Sequence, residues 1–259
     1  MAALATRSLL TLSALTVLAE RAGVPLPASW HAEPTEAEPD PVQVLLDADV
    51  LDGATGSASE QVRNGLRPLA APLVTIEVQL SRTHARSDSG RGPADSFVAL
   101  VAVGDTGLVS LLRRDGVGLV ELTLAGADAL SDSLDRLLAS APGADGNGES
   151  HALSLSAFVE LSSIQARVDV ASFARDRDLS EDDAEAVAQL LGSTTHILRC
   201  LVVGDRALGS PPVGQVLLYL TERGWFAVRG MADPDRVVMA PSGPLAIKGD
   251  IAALVAGTM

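Results

Sequence analysis

From residue 73 onward the spacing of apolar residues changes from one in every three or four to one in every two, and no other feature of this chain limits its fold as tightly. In LVTIEVQLS (73–81), Val74, Ile76, Val78 and Leu80 alternate with Thr75, Glu77 and Gln79. Successive side chains of a strand point to opposite faces, so this pattern specifies a strand with one apolar and one polar side. A polar loop, RTHARSDSGRGPADS (82–96), separates it from SFVALVAV; GDTG joins that strand to LVSLLRR, and DGVG joins this one to LVELTLA. Helical periods flank the meander. Before it, Leu12, Leu15, Leu18 and Ala22 share one helical face, with Ser13 as N-cap and Gly23 as the stop. A Pro- and Glu-rich loop follows, from which Trp30 plugs the core edge. Next come a helix over 42–51, closed by Asp52-Gly53, and one capped by Ser57 or Ser59 with Val62, Leu66 and Leu69 inward. After the meander, GADALSDSLDRLLAS (126–140) is amphipathic, with Leu130, Leu134 and Leu137 inward.

The same series recurs. Past a Gly-rich linker, APGADGNGESH (141–151), come a strand in ALSLSAF, a helix from Phe158 to Phe173, and SEDDAEAVAQLLG, a helix opened by a capping box from Ser180 to Asp183. THILRCLVVG is a strand, VGQVLLYLTERGWFAVRGM a hairpin, DRVVMAP a short strand and GPLAIKGDIAALVAG a final helix. The two series are offset by roughly 115 to 122 residues, about half the chain, in pattern and not in letters. The expected fold is α+β: a pseudo-two-fold repeat of helix, antiparallel four-stranded meander and helix, with a central sheet (one merged or two) flanked by helices. Its halves are residues 1–140 and 152–259, joined by the linker 141–151 in one compact unit.

Composition narrows the function classes. Aromatic residues are only 3% of the chain against 47% hydrophobic residues, so the core must be aliphatic. A net charge of −14, with no basic patch interleaved with aromatics, disfavours nucleic acid as a partner. Cys200, the single cysteine, can form no internal disulfide, and its setting in ILRCLVV is that of a small buried hydrophobe. The early apolar run from Ser8 to Ala19 carries one positive charge, Arg7, and no A-x-A site. It is too short to span a bilayer and reads better as the amphipathic helix, giving a soluble cytoplasmic protein with no membrane association; a signal peptide is the competing reading.

Asp105 poses the sharpest chemical question. An apolar strand running into Asp-Thr-Gly is how an aspartic protease presents its carboxylate, yet such an enzyme needs a second Asp to share the proton. The matching place in the second half holds Glu222-Arg223-Gly224, and Gly104 to Gly107 supplies the residues of a hairpin turn. The turn is the better reading, with an acid-type hydrolase using Asp105 as the least favoured alternative. Lys248, the only lysine, follows Ile247, so there is no phosphate-binding GK[ST] loop; G-x-S-x-G and H-E-x-x-H are absent. Gly143, Gly146 and Gly148 lack the preceding strand of a dinucleotide site. The histidines (His31, His84, His151, His196) are scattered, and the acidic run 176–183 lacks the Gly and Glu of an EF-hand. These patterns indicate a protein that is not an enzyme, with no cofactor and no metal.

Three segments carry a resemblance. The opening LLTLSALTVLAERAGVPLPASW resembles the start of the EspG family, the chaperones of actinobacterial type VII (ESX) secretion, in which a short apolar strand leads into a helix of the form AL-x-x-L-AE-x-x-G and then a Leu-Pro stretch. DSFVALVAVGDTGLVSLLRRDGVGLVELTLAGADALSDSLDRLL is similar to the family's central meander and helix, and GWFAVRGMADPDRVVMAP with the last helix to its C-terminal end. One departure is LTERGWFAV, where family members commonly carry D-x-x-x-G-R. The resemblance implies a cytosolic, non-enzymatic chaperone that binds a PE–PPE heterodimer at its apolar tip, keeps it soluble and delivers it to the secretion machinery. It also implies contact through neighbouring sheet positions, the C-terminal helical part and the loop between the second and third strands, here Arg82 to Ser96 with Arg82, Arg86, Arg91 and Asp95. Phe97, Val213 and Tyr219 are apolar neighbours equally compatible with core positions. The protein is expected as a monomer or homodimer; a self-associating structural or signalling module is the alternative.

Overall fold

A computed structural model describes residues 6–33, 38–83, 96–163, 170–177, 179–205 and 213–258. Strand β1 (Thr6–Thr11) runs directly into helix α1 (Leu12–Ala22). The N-cap is Thr11, whose hydroxyl accepts from the Ala14 amide at 3.1 Å, and not Ser13. The Ser13 hydroxyl is buried and donates instead to the Glu38 carboxylate at 2.7 Å. Gly23 stops the helix in the left-handed conformation, as its sequence position predicts. Helix α2 (Pro41–Asp47) is capped by Asp40 and ends earlier than its apolar pattern suggested. Asp49 takes the left-handed conformation (φ 61°), and the Val50 amide returns to the Leu45 carbonyl at 3.1 Å, closing a Schellman-type end. In the next turn Asp52 accepts from the Ala54 and Thr55 amides, which holds its carboxyl below the usual range. Ser59 caps α3 (Glu60–Ala70).

The meander is β2 (Val74–Arg82), β3 (Phe97–Gly104), β4 (Gly107–Arg114) and β5 (Leu119–Ala125), followed by α4 (Leu130–Leu138). The second half begins with β6 (His151–Ser154), α5 (Leu155–Ser163), α6 (Val170–Asp176) and α7 (Glu181–Gly192). It continues with β7 (His196–Gly204), β8 (Val213–Thr221), β9 (Gly224–Gly230), β10 (Arg236–Pro241) and α8 (Ile247–Thr258). All the strands belong to one antiparallel sheet in the order β1-β5-β4-β3-β2-β7-β8-β9-β10-β6. Each half therefore adds a fifth strand, β1 or β6, to the four-stranded meander expected of it. β6 is shorter than the alternation in ALSLSAF implied, because Ser154 turns to cap α5, accepting from the Ala157 amide at 3.2 Å.

The two halves meet at β2 and β7, which pair along their whole length from Val74↔Gly204 to Arg82↔His196. Superposing β2 on β7 end for end, Val74 on His196 and Arg82 on Gly204, lays Val78 on Cys200. Those two are themselves cross-strand partners, so the pseudo-two-fold axis passes through them. Matching hairpins confirm the symmetry: Gly107 and Gly224 close the β3–β4 and β8–β9 turns, both with positive φ (145° and 90°).

One face of the sheet is fully covered. Val74, Ile76, Val78 and Leu80 of β2, with Leu198, Cys200 and Val202 of β7, pack under Leu134, Leu137 and Leu138 of α4 and Ile247, Ile251 and Val255 of α8. Each fully buried aliphatic side chain there contributes roughly 1.5–3 kcal/mol before entropy is subtracted. The other face carries two separate clusters. One joins α1, α2, α3 and Trp30 to β1, β3, β4 and β5; the other joins α5 and α7 to β6, β8, β9 and β10. The stretch 142–147 is held by hydrogen bonds: Gly146 N–H to the Ser242 carbonyl (2.6 Å), Asn147 N–H to the Arg223 carbonyl (3.0 Å) and Trp225 Nε1–H to the Pro142 carbonyl (2.8 Å).

Candidate partner-binding surface

Between those two clusters no described helix covers the middle of the sheet. The polar half of the β2 alternation, Thr75, Glu77 and Gln79, points to this face, as do Arg199, Leu201 and Val203 of β7. The register arranges this face in rows across five strands, in which Leu111 and Val109 of β4, with Leu100, Ala102, Thr75 and Val203, are buried. Arg113, Val98, Gln79, Arg199 and Leu217 form one row; Leu111, Leu100, Glu77, Leu201 and Gln215 the next; Val109, Ala102, Thr75, Val203 and Val213 the third. Glu77, Gln79, Arg199 and Gln215 are exposed although they sit at the centre of a ten-stranded sheet. Strands on such a seam are ordinarily covered on both sides or clad in scattered charge. Here half-buried Val98, Leu201 and Leu217 lie among the charged residues, giving a floor with apolar and ionic character together.

The walls add apolar surface. A cavity of about 610 Å3 opens beside β2 between the segment Pro25–Pro27 and the end of α3 at Leu69–Leu73; Thr75, Glu77, Leu100, Ala102, Asp105 and Asp205 complete it. A smaller one of about 80 Å3 continues past Glu77 to Trp30, Gln79, Val98, Arg199 and Leu201. Trp30 is held by its neighbours: the Arg113 guanidinium lies over its ring at 5.6 Å and donates to the Ser29 carbonyl at 3.3 Å.

Asp105 sits exposed in the two-residue turn between Gly104 and Gly107, at the rim of the larger cavity. Its position is that of a hairpin tip. Cys200 is fully buried on the axis, and burial pushes its thiol up to about 12. Among the described residues no group of three His, Cys, Asp or Glu side chains is placed to hold a metal ion. His31 bonds the Leu26 carbonyl, His151 the Asp183 carboxylate at 3.1 Å and buried His196 the Thr195 hydroxyl; His84 lies outside the described residues.

The structure separates the residues the sequence singled out. Arg82 ends β2, at one end of the trough, and Val213, 63% exposed, begins β8 at the other, about 25 Å away along the strands. Phe97 points to the covered face, buried in the core beneath α4 and α8. Tyr219 is buried against Phe158, edge to face at 6.0 Å, and burial raises its hydroxyl. Arg86, Arg91 and Asp95 lie outside the described residues. Sequence reasoning did not single out Glu77, Arg199 and Leu201 of the floor. Their signal was the polar half of a strand that also had to be central, and centrality is a property of the pairing, not of the strand.

No family model matches the chain, and no curated protein does. Among solved structures it is similar to the complex of the Mycobacterium tuberculosis type VII secretion system chaperone EspG5 with a PE25–PPE41 dimer. The likeness has a TM-score of 0.70 at 15% identity and covers 98% of this chain and 97% of the other. Across nearly its whole length, the chain has the fold of an EspG chaperone.

Proposed function

We propose that the protein is a type VII secretion chaperone that receives a PE–PPE heterodimer in the trough over β2 and β7. One observation carries the reading: a full-length fold shared with a chaperone that was solved holding such a dimer, in a chain whose open face lies at the sheet centre. The uncovered strip, roughly 15 Å across four strands, accommodates the 10–12 Å width of one helix or helical tip. Its mixed floor suits a client whose tip is apolar but must be released. Covering that tip removes an aggregation-prone patch from water, and a carrier with a net charge of −14 stays soluble while doing so. On this reading the protein acts in the cytoplasm, catalyses nothing and hands its client to the secretion machinery.

Co-expression with PE–PPE pairs from the same genome, followed by size exclusion with light scattering, tests the proposal. A soluble complex containing one copy of each chain is expected. If every pair precipitates while this protein elutes alone, the reading falls.

A further inference from the structure

The pseudo-two-fold axis runs through the trough, and a symmetric trough would accept an elongated client equally well in two directions. The side chains on its floor break that symmetry. The operation that lays Val78 on Cys200 also lays Glu77 on Arg199, so equivalent positions on either side of the axis carry opposite charge. The surroundings reinforce the difference. At the end of the trough where β2 begins, Glu77 lines the large cavity together with Asp105 and Asp205, and no lysine, arginine or histidine among the described residues lines it. One row further along, Arg113 and Arg199 flank Val98 and Gln79. Glu77 and Arg199 stand in adjacent rows on either side of the axis and both border the smaller cavity, so the charge is acidic on the side of the large cavity and basic on the other.

We infer that Glu77 and Arg199 fix the direction in which the client lies, and that the client presents a cationic flank to Glu77 and a carboxylate flank to Arg199 around its apolar tip. The inference rests on the chaperone reading above and adds the recognition chemistry of that site. Charged groups across an interface contribute direction more than raw affinity, because the reversed arrangement sets like charges face to face. Client entering backwards would place its cations at Arg199 and its carboxylates among Glu77, Asp105 and Asp205.

The test uses the full chain and its PE–PPE pair, with a photo-crosslinker on Leu73→Cys. Leu73 lines the acidic cavity and is 38% exposed, whereas Cys200 is fully buried. Wild-type charge with this probe should label one flank of the client only. Glu77→Lys and Arg199→Glu should each weaken binding by about tenfold or more, the effect shrinking as salt is raised. The doubly reversed variant should shift the labelling to the opposite flank. Both side chains are exposed, so the variants should melt as the parent does, and a thermal scan confirms that they are folded. If the parent binds a pair but reversal leaves affinity and labelling pattern unchanged, the directional role is wrong and the chaperone reading stands. If the parent binds no pair, both fall together.

Discussion

Two buried side chains show how much a single residue decides. Cys200 has no accessible surface and sits where the two halves meet. Because its thiol is raised from an ordinary 9.0 to about 12 by burial, the folded protein keeps the proton that the unfolded chain releases. Stability from this group is therefore fully present below about pH 9 and is lost as pH rises from there towards 12. At pH 8 the native thiol should react with a disulfide reagent at least ~100-fold more slowly than the urea-unfolded chain; equal rates would show the seam to be open. Trp225 is also fully buried, and its indole N–H reaches the Pro142 carbonyl at 2.8 Å. Trp225→Phe keeps most of the packing but orphans that carbonyl, which should lower unfolding free energy by about 1–3 kcal/mol in a urea titration. A loss below a few tenths would mean water replaces the bond.

At the scale of elements, the last helix poses a choice between two kinds of attachment. α8 is tied by Arg229 to Asp250, at 2.8 and 3.1 Å, and by Lys248 to both oxygens of Asp135, at 2.7 and 2.8 Å. All four side chains are 31–46% exposed, and such pairs are worth at most about 1 kcal/mol. Ile251, by contrast, is fully buried against the sheet, and removing it leaves a cavity. Ile251→Ala should cost about 2–5 kcal/mol, and Lys248→Ala less than about 1, both read from denaturation midpoints. The reverse order would mean that ion pairs hold this helix. The turns argue similarly for backbone over charge. A side chain at Gly224 would both strain φ at 90° and press a Cβ within 2.5 Å of the Asp145 carbonyl, so Gly224→Ala should loosen the contact between the β8–β9 hairpin and residues 144–147.

For the whole molecule, the decisive fact is that the seam strands are the centre of one sheet. A chain cut between residues 142 and 148 should yield two fragments that stay together on size exclusion, because β2 pairs with β7 throughout and α4 and α8 cover the same face. Either half alone would expose a nine-residue strand edge, an invitation to aggregation; a soluble, monomeric isolated half would contradict this. Much of the fold was legible beforehand. Alternation in 74–80 placed β2, its echo in 196–204 placed β7, and Gly23, Ser59 and Ser180 marked helix ends. Less legible was β6, since Leu153, Leu155 and Ala157 alternate like a strand although Leu155 is 43% exposed in the first turn of α5. Of the positions read as apolar neighbours of the loop or as core, Phe97 and Tyr219 are core; the polar side of β2 was legible, but not that it stays open beside Arg199.

The sequence by itself determined which side of each strand is apolar and that the pattern occurs twice, because side-chain period and turn residues are local properties of the backbone. Only the tertiary structure decided that β2 and β7 join the repeats, and that their helices cover one face completely and the other only at its flanks. A period of two is the same for an edge strand as for a central one. Which polar faces stay in the open therefore depends on where distant helices come to rest, and that is set by packing between residues far apart in the chain.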